Sequence, residues 1–136
     1  MHRILVAVST IFALCLIGNI AFADSKSLCV YDPGGASGDA YQIIKDYRTA
    51  AAGWGVNFTL KPYTDEKTAA EDFKAGQCDA VVLTGTRVRR FQKFSGTVEA
   101  MGGLPTYGHL KKVVKALSNP KAGKLLRSGD FETVGI

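Results

Sequence analysis

The stretch that decides how this chain folds is LCVYDPGGASGD, Leu28 to Asp39. Leu28-Cys29-Val30-Tyr31 is short, apolar and partly β-branched, as in a buried strand. It breaks off into a loop crowded with glycine, in which Gly34, Gly35 and Gly38 are interleaved with Pro33, Ser37 and two aspartates. Apolar residues then recur at helical spacing at Tyr41, Ile44, Tyr47 and Ala51. Ser37 is placed to cap that helix, Asp39 suits its positive start, and Gly53 offers a stop. A strand that runs through a glycine loop into a helix is the opening of a β-α-β unit, and the following sequence supplies the rest.

Val56 to Leu60 alternates as a second strand, which Pro62 is expected to end. Thr64 or Asp65 caps a second helix, with Ala69, Ala70 and Phe73 on one face and Gly76 beyond its last turn. Ala80-Val81-Val82-Leu83 is continuously apolar, as in a strand buried on both faces. The order β-α-β-α-β predicts a parallel sheet with strand order 2-1-3, built in three layers. Beyond Thr84 the pattern loosens. Phe91 and Phe94 read as buried anchors, and His109 to Ser118 as an amphipathic helix through Leu110, Val113, Val114 and Leu117. Asn119-Pro120 restarts a short helix, and Phe131 to Ile136 reads as one further strand.

Residues 1–23 stand apart from this pattern. A short basic start, MHR, leads into the mostly apolar stretch Ile4 to Ile20, and Ala21-Phe22-Ala23 is an A-x-A cleavage signal before Asp24. The segment is expected to be a cleaved signal peptide, with an uncleaved anchor as its rival, and residues 24–136 to form one exported domain. Loss of Arg3 takes Lys+Arg from 17 to 16 against 12 Asp+Glu, so the mature charge is about +4. That permits anionic partners without demanding them, and no nucleic-acid-binding module accompanies it. Cleavage also removes Cys15. Cys29 and Cys78 remain, and one disulfide is the default expectation in an oxidising compartment, against two buried thiols. Two distant cysteines and one mature histidine, His109, make a poor metal site.

In an open parallel sheet, ligands sit beyond the carboxyl ends of the strands. YDPGGASGD lies there after the first strand and Thr84-Gly85-Thr86-Arg87 after the third. The nucleotide readings fail on detail: no lysine follows Gly38 as in a phosphate loop, and the glycines fall as G-G-x-x-G instead of G-x-G-x-x-G. What survives is a set of backbone N–H groups and a helix start able to hold an anionic or polar group, beside the plainer reading of a tight turn. The candidate ligand-binding residues are Asp32, Gly34, Gly35, Ser37, Thr84, Thr86, Arg87 and Arg90, with Arg87 as a bidentate carboxylate clamp. Tyr31, Tyr63 and Tyr107 are possible walls. Ser37 lacks the G-x-S-x-G context of a nucleophile and His109 sits at a helix start, so no catalytic residue or cofactor is expected.

SLCVYDPGGASGD, CDAVVLTGTRVRRF and GTVEAMGGLPTYGHLKKVV together resemble the amino-terminal lobe of periplasmic solute-binding proteins related to the receptors of tripartite ATP-independent uptake systems. The resemblance implies one lobe of a type II periplasmic-binding-protein-like fold, a small solute (often a carboxylate) as ligand, membrane transporter subunits as partners, and no enzymatic chemistry. Such receptors are more than twice this length, which implies a truncated chain lacking the second lobe. Some relatives carry a label linking them to aminoglycoside efflux of the resistance-nodulation-division type, which implies an accessory interaction role as the alternative.

Overall fold

The structure, a computed structural model, describes residues 24–98 and 100–135. The proposed signal peptide therefore lies outside the described residues. The strand read at Leu28 is longer than its apolar run: β1 spans Asp24–Tyr31. A 3-10 turn, Gly35–Ser37, leads to helix α1, Asp39–Ala52. Next come β2, Val56–Tyr63, then α2, Glu66–Lys74, and β3, Ala80–Val82. Both outer strands run parallel to β1, in the order β2-β1-β3. Leu28 pairs with Leu60 and Ala80, and Val30 with Pro62 and Val82. The fold is the expected α/β arrangement, with helices flanking a parallel sheet.

Two strand readings need correction. Pro62 does not end β2, which runs on to Tyr63. As an outer strand, β2 has an edge without a ladder partner, where a residue lacking N–H is tolerated. β3 is half-buried, not covered on both faces, because it too is an outer strand of the described sheet. The buried apolar side chains instead gather on β1, on the helices over it and in the turn before β3: Leu28, Cys29, Val30, Ala51, Ala69, Ala70 and Cys78.

The amino-terminal edge of the sheet is closed twice. Cys29 and Cys78 form the expected disulfide, with Cα atoms 5.9 Å apart. One residue further, the Asp79 carboxylate accepts from the Ser27 amide at 2.6 Å and the Ser27 hydroxyl at 2.7 Å. The Asp79 amide donates back to the Ser27 carbonyl at 2.9 Å. These bonds hold the Asp79 carboxyl below its usual range, the Ser27 amide being the largest cause.

Beyond β3 the chain turns helical: α3, Gly85–Val88; α4, Lys93–Val98; and α5, Tyr107–Leu117. Thr106 caps α5 and so starts it earlier than its apolar spacing suggests, accepting from the His109 amide and meeting His109 Nδ1 at 2.7 Å. A 3-10 turn at Pro120–Ala122, capped by Asn119, precedes α6, Gly123–Leu126. The terminal segment is not one more strand of the main sheet. β4, Arg127–Ser128, and β5, Phe131–Glu132, form their own antiparallel hairpin, turning at Gly129 with φ of 58°. Phe73 of α2, Phe91 and Phe131 bind this half to the sheet half, with ring centroids 5.0 to 5.7 Å apart. Phe91 and Phe94, both read as buried anchors, are each half-buried.

Candidate functional site

The carboxyl ends of β1, β2 and β3 bring three loops together. The first is held down by Asp32, whose amide donates to the Tyr63 carbonyl at 2.9 Å at the end of β2. Its buried carboxylate folds back over the glycine loop. Oδ1 accepts from the Gly34 amide at 2.7 Å, and Oδ2 from the Tyr41 amide at 3.1 Å. Tyr41 is the third residue of α1, and its N–H is one that a capping side chain normally takes. Ser37, expected as the cap, is exposed and makes no capping bond; Gly38 holds the cap position.

The glycines follow from that carboxylate. A Cβ on Gly38 would fall 1.8 Å from Asp32 Oδ1, and one on Gly34 would meet the Gly38 Cα at 2.8 Å. Gly35 has φ of 57°. The loop that resembles a phosphate cradle therefore closes around an acid of its own. Asp32 supplies the negative charge that the start of α1 favours.

The third loop faces a different acid, one that the sequence reading passed over. Glu66, in the first turn of α2, reaches across to the end of β3. Its Oε1 accepts from the Thr84 amide at 2.7 Å and the Thr84 hydroxyl at 2.6 Å. Its Oε2 lies 3.4 Å from Arg87 Nε, and both side chains are largely buried. An acid directly after the Thr64-Asp65 cap was the available signal, but a glutamate in a first helical turn usually serves only the helix dipole. Asp65 itself is the cap, accepting from the Thr68 amide at 2.8 Å.

Beside this pair opens a hollow of about 380 Å³, lined by Glu66, Thr86, Arg87, Arg89 and Arg90. A second, of about 410 Å³, shares Thr86 and Arg89 and extends past Gly96 to Met101. Of the candidate residues, Thr86, Arg87 and Arg90 line the first hollow, and Thr84 stands next to it through Glu66. Asp32, Gly34, Gly35 and Ser37 are not among the lining residues. The Asp32 loop is capped by its own carboxylate, and the hollow opens at the loop after β3. Tyr63 is no wall: its hydroxyl donates to Asp72 at 2.7 Å, a bond that raises its pKa. Tyr107 is exposed.

Three guanidinium groups against one carboxylate give the hollow a positive balance. Arg87 Nε is engaged by Glu66, but a guanidinium carries five donors in a planar fork suited to carboxylates. Among the described residues no group of three or more His, Cys, Asp and Glu could hold a metal ion.

The Solute-binding protein AdeT 1/2 family matches residues 50–136, well over half of the chain. The chain belongs to that family. Within the AdeT 1/2 match lie Glu66, Thr84, Thr86, Arg87, Arg89 and Arg90, whereas the Asp32 loop precedes it. The chain is also 41% identical over 107 residues to the probable solute-binding protein AdeT1 of Acinetobacter baumannii. That similarity covers 79% of this chain and 35% of the relative, so the chain spans about a third of the relative's length. No solved structure matches.

Proposed function

We propose that this AdeT 1/2 family chain is an exported solute-binding protein that serves a membrane transport system. The solute is small and anionic, and it meets the protein at Thr86, Arg87 and Arg90. The observation that carries this reading is the hollow at the carboxyl end of β3, lined by three arginines and a single glutamate that engages only Arg87. A carboxylate fits that field. A polycation such as an aminoglycoside would meet three like charges there, which sets this hollow against an aminoglycoside site.

Glu66 shapes the expected affinity. It holds Arg87 from one side through Nε, fixing the guanidinium so that less rotamer freedom is lost on binding. It also lowers the local positive potential. A ligand held by this open hollow alone stays partly solvated, so binding is weak and depends on the arginines. Calorimetry with a panel of small mono- and dicarboxylates, with aminoglycosides in parallel, tests the reading. A carboxylate should bind, and Arg87→Ala should lower its affinity by about 1–3 kcal/mol if a charge-assisted bond is lost. Binding that is indifferent to both Arg87→Ala and Arg90→Ala would remove the hollow from consideration. Export is tested separately: amino-terminal sequencing of the protein from a periplasmic fraction should start at Asp24.

A further inference from the structure

The basic residues are unevenly divided, and the structure gives that division a surface. Residues 24–99 hold ten Lys/Arg and ten Asp/Glu, an even balance. Residues 100–129 hold Lys111, Lys112, Lys115, Lys121, Lys124 and Arg127 with no acidic residue at all. The net positive charge of the mature chain therefore resides in one segment of thirty residues, with α5 at its centre.

α5 separates charge from apolar surface. Leu110, Val113, Val114 and Leu117 recur at helical spacing on one side and are half-buried, while Lys111, Lys112 and Lys115 share the opposite side and are exposed. The 3-10 turn and α6 that follow add exposed Lys121 and Lys124. The approach to the helix is apolar and open: Met101 is 103% exposed and Tyr107, the first residue of α5, 78%. Among the described residues no helix is long and apolar enough to cross a membrane.

We propose that α5 and its flanks form a docking surface for a bilayer bearing anionic phospholipid. Charge complementarity argues for the negative partner. The pairing of the lysines with exposed Tyr107, one turn before Lys111 on α5, argues for a bilayer over a soluble acidic protein: lysines meet the headgroups, while an amphipathic ring suits the boundary below them. The lysines act as compact, strongly hydrated charges attracted to a negative sheet, not as forks reading one group. Such docking holds the protein at the membrane face through lysines that do not line the arginine hollow.

Sedimentation with vesicles tests this, using the full chain and a Lys111→Glu/Lys112→Glu/Lys115→Glu variant. Phosphatidylcholine vesicles with phosphatidylglycerol should bind the parent much better than phosphatidylcholine alone, and high salt should abolish the preference. The variant should partition at least about 100-fold more weakly to the anionic vesicles. Residues 1–23 are common to both chains, so their own affinity for lipid cancels in the comparison. All three lysines are exposed, and an unchanged circular dichroism spectrum checks that the variant folds. A second readout is local: in a Trp54→Phe/Tyr107→Trp chain, brominated lipid in anionic vesicles should quench the single indole. Equal partitioning of parent and variant, or an unquenched indole, would overturn the proposal. So would capture by soluble polyglutamate in place of the vesicles, which would make the partner an acidic protein.

Discussion

Residues 24–84 and 85–135 are held together by different means. The first half holds every buried apolar side chain among the described residues, with Asp32 as its buried polar one. In the second half the buried side chains are polar: Gln92 and Ser95. Gln92 Oε1 accepts from the Ser95 amide at 2.7 Å and the Ser95 hydroxyl at 3.0 Å, while its Nε2 donates to the Leu125 carbonyl. Ser95 Oγ in turn lies 3.2 Å from Thr133 Oγ1. Gln92 thus begins α4 and ties it to α6, and Ser95 ties it to the segment after β5. A half organised by directional bonds and three rings is specific in its arrangement, but it removes less apolar surface from water. It should open more readily than the half around β1.

The largest test of that difference falls on the sheet half. Reducing the disulfide, or replacing Cys29 and Cys78 by Ala, releases a loop with a sequence separation of 49. Denaturant unfolding should show a loss of about 4 kcal/mol by loop-closure entropy. An unchanged midpoint under reductant would mean that the sheet half does not depend on its cross-link. Gly38→Ala comes next. Its Cβ would enter the space of the Asp32 carboxylate, forcing the acid off the Gly34 and Tyr41 amides at a cost of about 2–3 kcal/mol. Asp32→Gly/Gly38→Ala, which removes the clash, should recover part of that loss.

Phe131→Ala sharpens the contrast from the other side. It removes one ring of three at a half-buried position and should cost about 1–2 kcal/mol. Hydrogen exchange should quicken across residues 85–135 and leave the β1 amides protected. Quickening in both halves alike would show one cooperative unit. The smallest effect is one of pH. The Asp79 carboxyl titrates below its unfolded value, so its contribution is present above about pH 4 and is lost as pH falls through the lower folded value. Asp79→Asn should flatten only that acid limb of a stability–pH profile.

Much of the sheet half was legible in the sequence because its signals are local. Alternating and apolar runs gave the strands, Asp65 gave a cap, and Gly76, with φ of 75°, closed α2 as its position suggested. The errors there came from what lies beside a residue in space: Pro62 reads as a strand end until β2 is known to be an edge. In the second half, Phe91 announced itself, but Gln92 did not. A glutamine becomes a core residue here only through a distant partner, the Leu125 carbonyl, at a sequence separation of 33. The candidate site divides the same way. Arg87 and Thr86 could be named from their place after an apolar strand. Glu66 could not, since its role depends on reaching from one strand end to another.

Asp32 has a consequence for reading other glycine loops. Here the chain brings its own anion: an acid two positions before the first glycine, and a glycine six positions after the acid to make room for its carboxylate. D-x-G-x-x-x-G at the end of a strand therefore describes a berth already taken. A chain with the same glycines and no acid at the first position keeps those amides for a guest. A single side chain thus separates two readings that glycine spacing alone would merge.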